Sequence, residues 1–140
     1  MKKLFAVVLF AVLIGKGYAQ ELSGAIPLNK NEVKVEYATV NWEATQFDFG
    51  KVKQNVPVTH EFKFTNTSKV PFIIANAQPS CGCTAPDWTK TPVPPGDSGF
   101  VKATFNAAPP GPFNKTITVT SNVEGGIILL TIKGEVVVAQ

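Results

Sequence analysis

The sequence predicts an all-β domain built as a sandwich of antiparallel sheets, and three observations predict it. Several segments alternate apolar and polar residues with a period of two, the mark of a strand with one buried and one wet face. Clusters of Gly, Pro, Asn and Ser punctuate those segments at even spacing. No segment carries the apolar spacing of an amphipathic helix.

The start of the chain stands apart. Lys2 and Lys3 precede an unbroken apolar run, Leu4–Ile14, and small residues lead on to Ala19. This is the pattern of a secretory signal peptide over 1–19, cut near Ala19. The run is well short of the ~20 apolar residues that cross a bilayer. No cysteine directly follows it to carry a lipid. The expected mature chain is therefore periplasmic or secreted, with no membrane insertion after signal removal. Residues 20–32 are polar and punctuated by Gly and Pro, which reads as a flexible linker. Residues 33–140 read as one sandwich domain.

Within that domain a first strand is expected inside Val33–Trp42, followed by the short pattern Phe47-Asp48-Phe49 closed by Gly50. Val56–Asn66 is the clearest strand: Val58, His60, Phe62 and Phe64 alternate with Thr59, Glu61, Lys63 and Thr65. After a turn at Asn66-Thr67-Ser68, Phe72–Ala75 is a short apolar strand running towards Gln78. Thr91–Asp97 holds too many prolines for a central strand and reads as an edge or a crossing between sheets. Phe100–Asn106 alternates again. Phe113–Asn122 sets Phe113, Ile117 and Val119 against Thr116, Thr118 and Thr120. Glu124-Gly125-Gly126 is a hairpin turn, and Ile127–Val138 closes the fold with Gly134 as the expected bulge. About seven short strands of this kind give an immunoglobulin-like antiparallel β-sandwich. The antibody-type hallmarks are missing. No cysteine lies on the Val56–Asn66 or Phe113–Asn122 strands, and Tyr37 is the only tyrosine after the leader.

Charge narrows the function classes. Lys2, Lys3 and Lys16 leave with the leader, so ten basic residues face ten acidic ones in the mature chain. There is no arginine, and the lysines are scattered singly. A nucleic-acid partner is not expected, because such surfaces cluster basic residues and use Arg for bidentate contacts. Enzyme chemistry lacks a constellation: there is one histidine, no phosphate-cradling glycine loop and no nucleophile elbow.

The order of short blocks resembles a known family. Phe47-Asp48-Phe49-Gly50, His60-x-Phe62-x-Phe64-x-Asn66, Ser80-Cys81-Gly82-Cys83-Thr84, Pro95-Gly96, Gly111-Pro112-Phe113-x-Lys115, Ser121-Asn122 and Gly134 follow one another over roughly residues 38–137. Together they resemble the bacterial domain-of-unknown-function family 1573 (DUF1573), common in secreted proteins of Bacteroidetes. The resemblance implies an exported immunoglobulin-like sandwich with no established activity. Many members are lipoproteins, and this chain departs from them by lacking the lipid-bearing cysteine.

Chemistry concentrates in Pro79–Pro86, which holds Cys81 and Cys83, the only cysteines. The plain reading is a structured loop whose sulfurs pack as small apolar groups, with Gly82 there for a positive φ or a close backbone approach. A second reading is a disulfide ring. A bridge across one residue closes so small a loop that it adds little stability, which points to a redox-responsive bond rather than a staple. A third is a Cu(I) site, because two thiolates one residue apart suit a soft ion. That arrangement is similar to the Cys-x-Cys of the cytochrome oxidase copper-assembly chaperones. His60 is the candidate third ligand, its plainer role being a buried neutral imidazole. Asp87 is an oxygen candidate that could equally cap a turn.

The favoured reading is a non-catalytic module of the bacterial envelope that binds an envelope protein or serves a structural or accessory role. Trp42 and Trp88 are its candidate contact points, though Trp88 could simply cover the core. The rival is a Cu(I)-binding or redox-responsive protein acting through Cys81 and Cys83.

Overall fold

The computed structural model describes residues 33–140, so the expected signal peptide and linker lie outside the described residues. Eight strands form two four-stranded sheets. The first contains β1 (Val40–Trp42), β3 (Val58–Asn66), β5 (Thr84–Trp88) and β6 (Ser98–Phe105), in the order β1-β3-β6-β5. The second contains β2 (Gln46–Lys53), β4 (Ile74–Pro79), β7 (Gly111–Ser121) and β8 (Ile127–Val137), in the order β2-β8-β7-β4.

The alternation read from β3 sorts its side chains as expected. Phe62 and Phe64 are buried, while outside the sheet the Thr59 hydroxyl pairs with that of Thr104 at 2.9 Å and Thr65 with Ser98 at 3.0 Å. Facing them from the second sheet are Ile117 and Val119 of β7 and Leu130 and Ile132 of β8, all fully buried. Phe105 of β6 stacks on Phe113 of β7 with ring centres 4.2 Å apart, joining the sheets. Each such side chain contributes about 1.5–3 kcal/mol by leaving water. Two polar residues are buried, Asn66 and Thr84. Asn66 donates from Nδ2 to the carbonyls of Val70 and Val93 and accepts at Oδ1 from the backbone N–H and the hydroxyl of Ser68. A buried amide is tolerable only when satisfied in this way.

Four details differ from the sequence reading. An additional strand, β5, runs straight through Pro86. It is an edge strand, where a missing N–H need not break a ladder. The β2–β8 pair is parallel, the only such ladder between the eight strands. The bulge lies on β2 between Asp48 and Lys51, opposite Gly134 rather than at it. Thr91–Asp97 joins β5 to β6 within one sheet instead of crossing, and Val93 bridges back to Phe72 through paired backbone hydrogen bonds of 2.8 and 2.9 Å. The hairpin turn forms as read, with Gly125 and Gly126 both at positive φ.

This topology puts β4 and β5 at the edges of opposite sheets, on the same side of the sandwich. The chain between them, from Ser80 to Cys83, is the corner where it passes from one sheet to the other.

Candidate functional site

Cys81 and Cys83 are bonded to each other in a disulfide ring over Gly82, with their Cα atoms 5.3 Å apart. Ser80 anchors the ring to the second sheet: its N–H donates to the Thr116 carbonyl at 2.8 Å, and its hydroxyl accepts from the Thr116 N–H. Cys83 anchors it to the first, its carbonyl accepting from the Asn106 N–H at 3.0 Å. Both cysteines are half-buried, Gly82 is exposed, and Cys83 packs against the edge of the core. Gly82 fulfils neither expectation made for it. Its φ is not in the left-handed region, and a Cβ built there would meet nothing within 4 Å.

Two loops flank the corner and are tied to each other. The Asn55 N–H donates to the Ala107 carbonyl at 2.9 Å, and the Gln54 side-chain amide donates to the Ala108 carbonyl at 3.0 Å. Asn55 and Ala107 are the two non-glycine residues at positive φ among the described residues. Ala107 is also fully buried. Asparagine enters that region readily, but alanine holds it only where its surroundings impose it. The end of the sandwich bearing the disulfide is thus a set of three interlocked loops.

One side chain meets a sulfur, and a second stands in register with the corner. Thr84 is 3% exposed, and its hydroxyl lies 4.0 Å from Cys81 Sγ. The bonded sulfur carries no proton, so the hydroxyl is the donor. Lys115 is the second. The inward series of β7 reads Phe113, Lys115, Ile117, Val119, with apolar neighbours buried on both sides. β4 ends at Pro79, opposite Ile117, and the Ser80–Thr116 pair continues that register. The chain beside Lys115 is therefore the cysteine corner itself. Lys115 has no ion-pair partner among the described residues.

The structure does not bring His60 to this corner. β3, which carries His60, and β5, which Cys83 immediately precedes, are separated by β6: His60 faces Ala103, which in turn faces Pro86. The imidazole stacks on Phe47 at 3.7 Å and meets Phe62 edge-on at 4.6 Å. Burial pushes its pKa below the usual histidine value, with Glu61 opposing the shift. Among the described residues no three His, Cys, Asp or Glu side chains are grouped to hold a metal ion. The three-ligand arrangement of Cys81, Cys83 and His60 is thus not assembled, because strand order sends the histidine to the other side of the sandwich. Asp87 lies in β5 and caps no turn; its carboxylate accepts from the Trp88 N–H at 2.9 Å and pairs with Lys90 at 3.8 Å. Trp42 packs on Phe64, ring centres 4.9 Å apart, with its indole N–H buried and without an acceptor. Trp88 lies against the core under the Lys90 ammonium, which sits 2.9 Å from its ring centre.

Thr84 and Lys115 stood in the family blocks with no role assigned to them, and the Asn55–Ala107 pair was not singled out from the sequence. A lysine in the inward register of a strand was a usable signal for Lys115. The loop pairing left none, since neither Asn-Val nor Ala-Ala announces a long-range contact.

Two facing sheets joined by edge-to-edge corners, with no helix among the described residues, define an immunoglobulin-like module. The chain belongs to the family described as protein of unknown function (DUF1573), whose model matches residues 40–136. No curated protein matches the sequence significantly. Among solved structures, a protein of unknown function from Porphyromonas gingivalis W83 is similar at TM-score 0.63 and 12% identity, over 73% of this chain and 48% of that one. The chain thus spans about half of the Porphyromonas protein. The ASH/PapD-like domain 7 of human CEP192 is similar at TM-score 0.59 and 10% identity, over 74% of this chain and 89% of the domain. The VesB protease of Vibrio cholerae is similar at TM-score 0.55 and 15% identity, over 71% of this chain and 32% of the protease. At such identities these likenesses concern the fold alone.

Proposed function

We propose that this protein is an exported, non-catalytic immunoglobulin-like module of a bacterial envelope that engages a protein partner through the loops at its cysteine end. The interlocking of those loops carries the reading. Asn55, Ala107 and Cys83 are held by backbone hydrogen bonds between segments far apart in sequence. A surface fixed before binding loses little conformational entropy on association. The sheet edges are less suited to a partner. β4 and β5 carry Pro79 and Pro86, and β2 carries a bulge with Lys51 and Lys53, devices that blunt strand addition. Export is supported by the leader pattern in residues 1–19. A non-catalytic role is supported by the absence of a nucleophile–base pair or acid pair in the sequence.

The test is site-specific photo-crosslinking in the envelope of the producing cell. A crosslinker at exposed Pro109, beside the interlocked loops, is expected to give one discrete adduct band. One at exposed Glu124, in the β7–β8 turn at the other end, is expected to give none. Equal labelling from both positions, or none from Pro109, overturns the proposal.

A further inference from the structure

We propose that the Cys81–Cys83 ring is a thiol–disulfide exchange site, with Cys83 the sulfur attacked and Cys81 the sulfur released. The co-reactant is a thiol, either a small monothiol or a protein dithiol. This inference goes beyond partner binding and does not depend on it.

Four observations carry it. The ring is reachable, with both cysteines half-buried and Gly82 exposed at the surface. Gly82 has no conformational or packing reason to be glycine. What the missing side chain does provide is an open approach to the bond. The ring is also dispensable to the fold. It spans one residue, so opening it releases almost no chain entropy and the sandwich stands in either redox state. Finally, the two sulfurs have different surroundings. Cys83 rests on the apolar edge of the core. Cys81 has the Thr84 hydroxyl within 4.0 Å, and the β4–β7 register continued past Ser80–Thr116 sets it opposite Lys115, which has no ion-pair partner among the described residues. A hydrogen-bond donor and a positive charge both favour a thiolate, so Cys81 is the better leaving group.

The incoming thiolate attacks Cys83 Sγ in line with the ring bond. A new sulfur–sulfur bond forms to Cys83, and the Cys81–Cys83 bond breaks with its electron pair going to Cys81. Cys81 leaves as a thiolate, held by Thr84 and Lys115, and takes a proton from water when it is released from them. A second thiolate, from the same protein dithiol or from another molecule of the monothiol, then attacks the co-reactant's sulfur in the mixed disulfide; a new sulfur–sulfur bond forms there, and the bond to Cys83 breaks with its electron pair going to Cys83, which takes up a proton. The co-reactant leaves oxidised by two electrons, and Cys81 and Cys83 remain as two thiols.

The experiment uses the oxidised full chain and reduced glutathione under native conditions. Acid quenching and alkylation precede peptide mass spectrometry. Glutathione is expected on Cys83 and the alkyl group on Cys81, with the thermal transition of the reduced protein within a few degrees of the oxidised one. Lys115→Gln is expected to slow ring opening about threefold, as for a leaving thiol made modestly more basic. Lys115→Arg is expected to restore the rate, which a merely structural role would not require. Thr84→Val is expected to slow opening similarly. A ring that opens only after denaturant is added overturns the proposal. So does glutathione found on Cys81, or a Lys115→Gln variant that reacts like the parent.

Discussion

Replacing Gly134 by alanine tests the packing at the β2 bulge. A Cβ at residue 134 would stand 2.7 Å from the Gly50 carbonyl oxygen and 2.8 and 2.9 Å from two carbons of the Phe113 ring. Ordinary contacts at a Cβ begin near 3.4 Å, so several tenths of an ångström must be found at each. Neither neighbour yields easily. Gly50 is set by the bulge at positive φ, its N–H bonded to the Asp48 carboxylate at 2.8 Å. The Phe113 ring is buried and stacked on Phe105. Overpacking of this kind costs about 1–3 kcal/mol, and backbone on one side argues for the upper end. Against it stands a gain of about 0.4–1 kcal/mol, because alanine has less freedom to lose than glycine and φ here is not left-handed. The net expectation is a destabilisation of about 2 kcal/mol, or about 8 °C in Tm for a domain this size. Gly82→Ala is the internal control, since its Cβ meets open space. It should leave stability unchanged or raise it by about 0.5 kcal/mol. Urea unfolding of both variants beside the parent measures this. A Gly134→Ala midpoint equal to the parent's would refute the reasoning, and so would equal losses at both glycines.

Two further outcomes follow from the core. Asn66→Ala leaves the Ser68 N–H without its acceptor and removes one of two donors to the Val70 and Val93 carbonyls, which keep the Ser68 hydroxyl and the Phe72 N–H, and should cost about 2 kcal/mol in the same urea assay. A loss under about 1 kcal/mol would mean water replaces the amide. His60 has a folded pKa below its ordinary 6.5, so its neutral form is the one the fold prefers. Its contribution to stability is full above about pH 6.5 and is lost as pH falls through that value towards the lowered folded pKa, because the unfolded chain takes up the proton first. His60→Phe should flatten the fall in stability between pH 7.5 and pH 5; an unchanged slope would assign that fall to other groups.

The strands were legible where one face is wet. β3, β6, β7 and β8 alternate cleanly, and the buried Phe62, Phe64, Val101, Ile117 and Ile132 follow from that alternation. β5 was hidden because Pro86 reads as a strand breaker, and only its edge position, a tertiary fact, excuses it. The bulge was read at the correct level of the sheet but on the wrong strand. A glycine signals that two backbones meet closely and does not say which one carries the extra residue. The cysteine pair was visible at once, and its bonding partner needed no long-range information. Its neighbours did. Lys115 reaches the corner through strand pairing, and Ala107 adopts positive φ through a bond to Asn55. Local sequence encodes neither. His60 shows the converse: a residue type suited to a metal site was placed by strand order among aromatic rings instead.

The parallel pairing of β2 with β8 also dictates when this domain can finish folding. β2 is second in the chain and β8 last, and β8 separates β2 from every other strand of its sheet. β2 has no ladder partner until the last strand has been made. On emerging chains the first sheet can assemble early from β1, β3, β5 and β6, while the second waits for its final member. Contacts closed over so long a stretch form slowly. The Phe47–Asp48–Phe49 segment stays unpaired throughout that wait, leaving its two aromatic rings open to whatever holds the nascent chain.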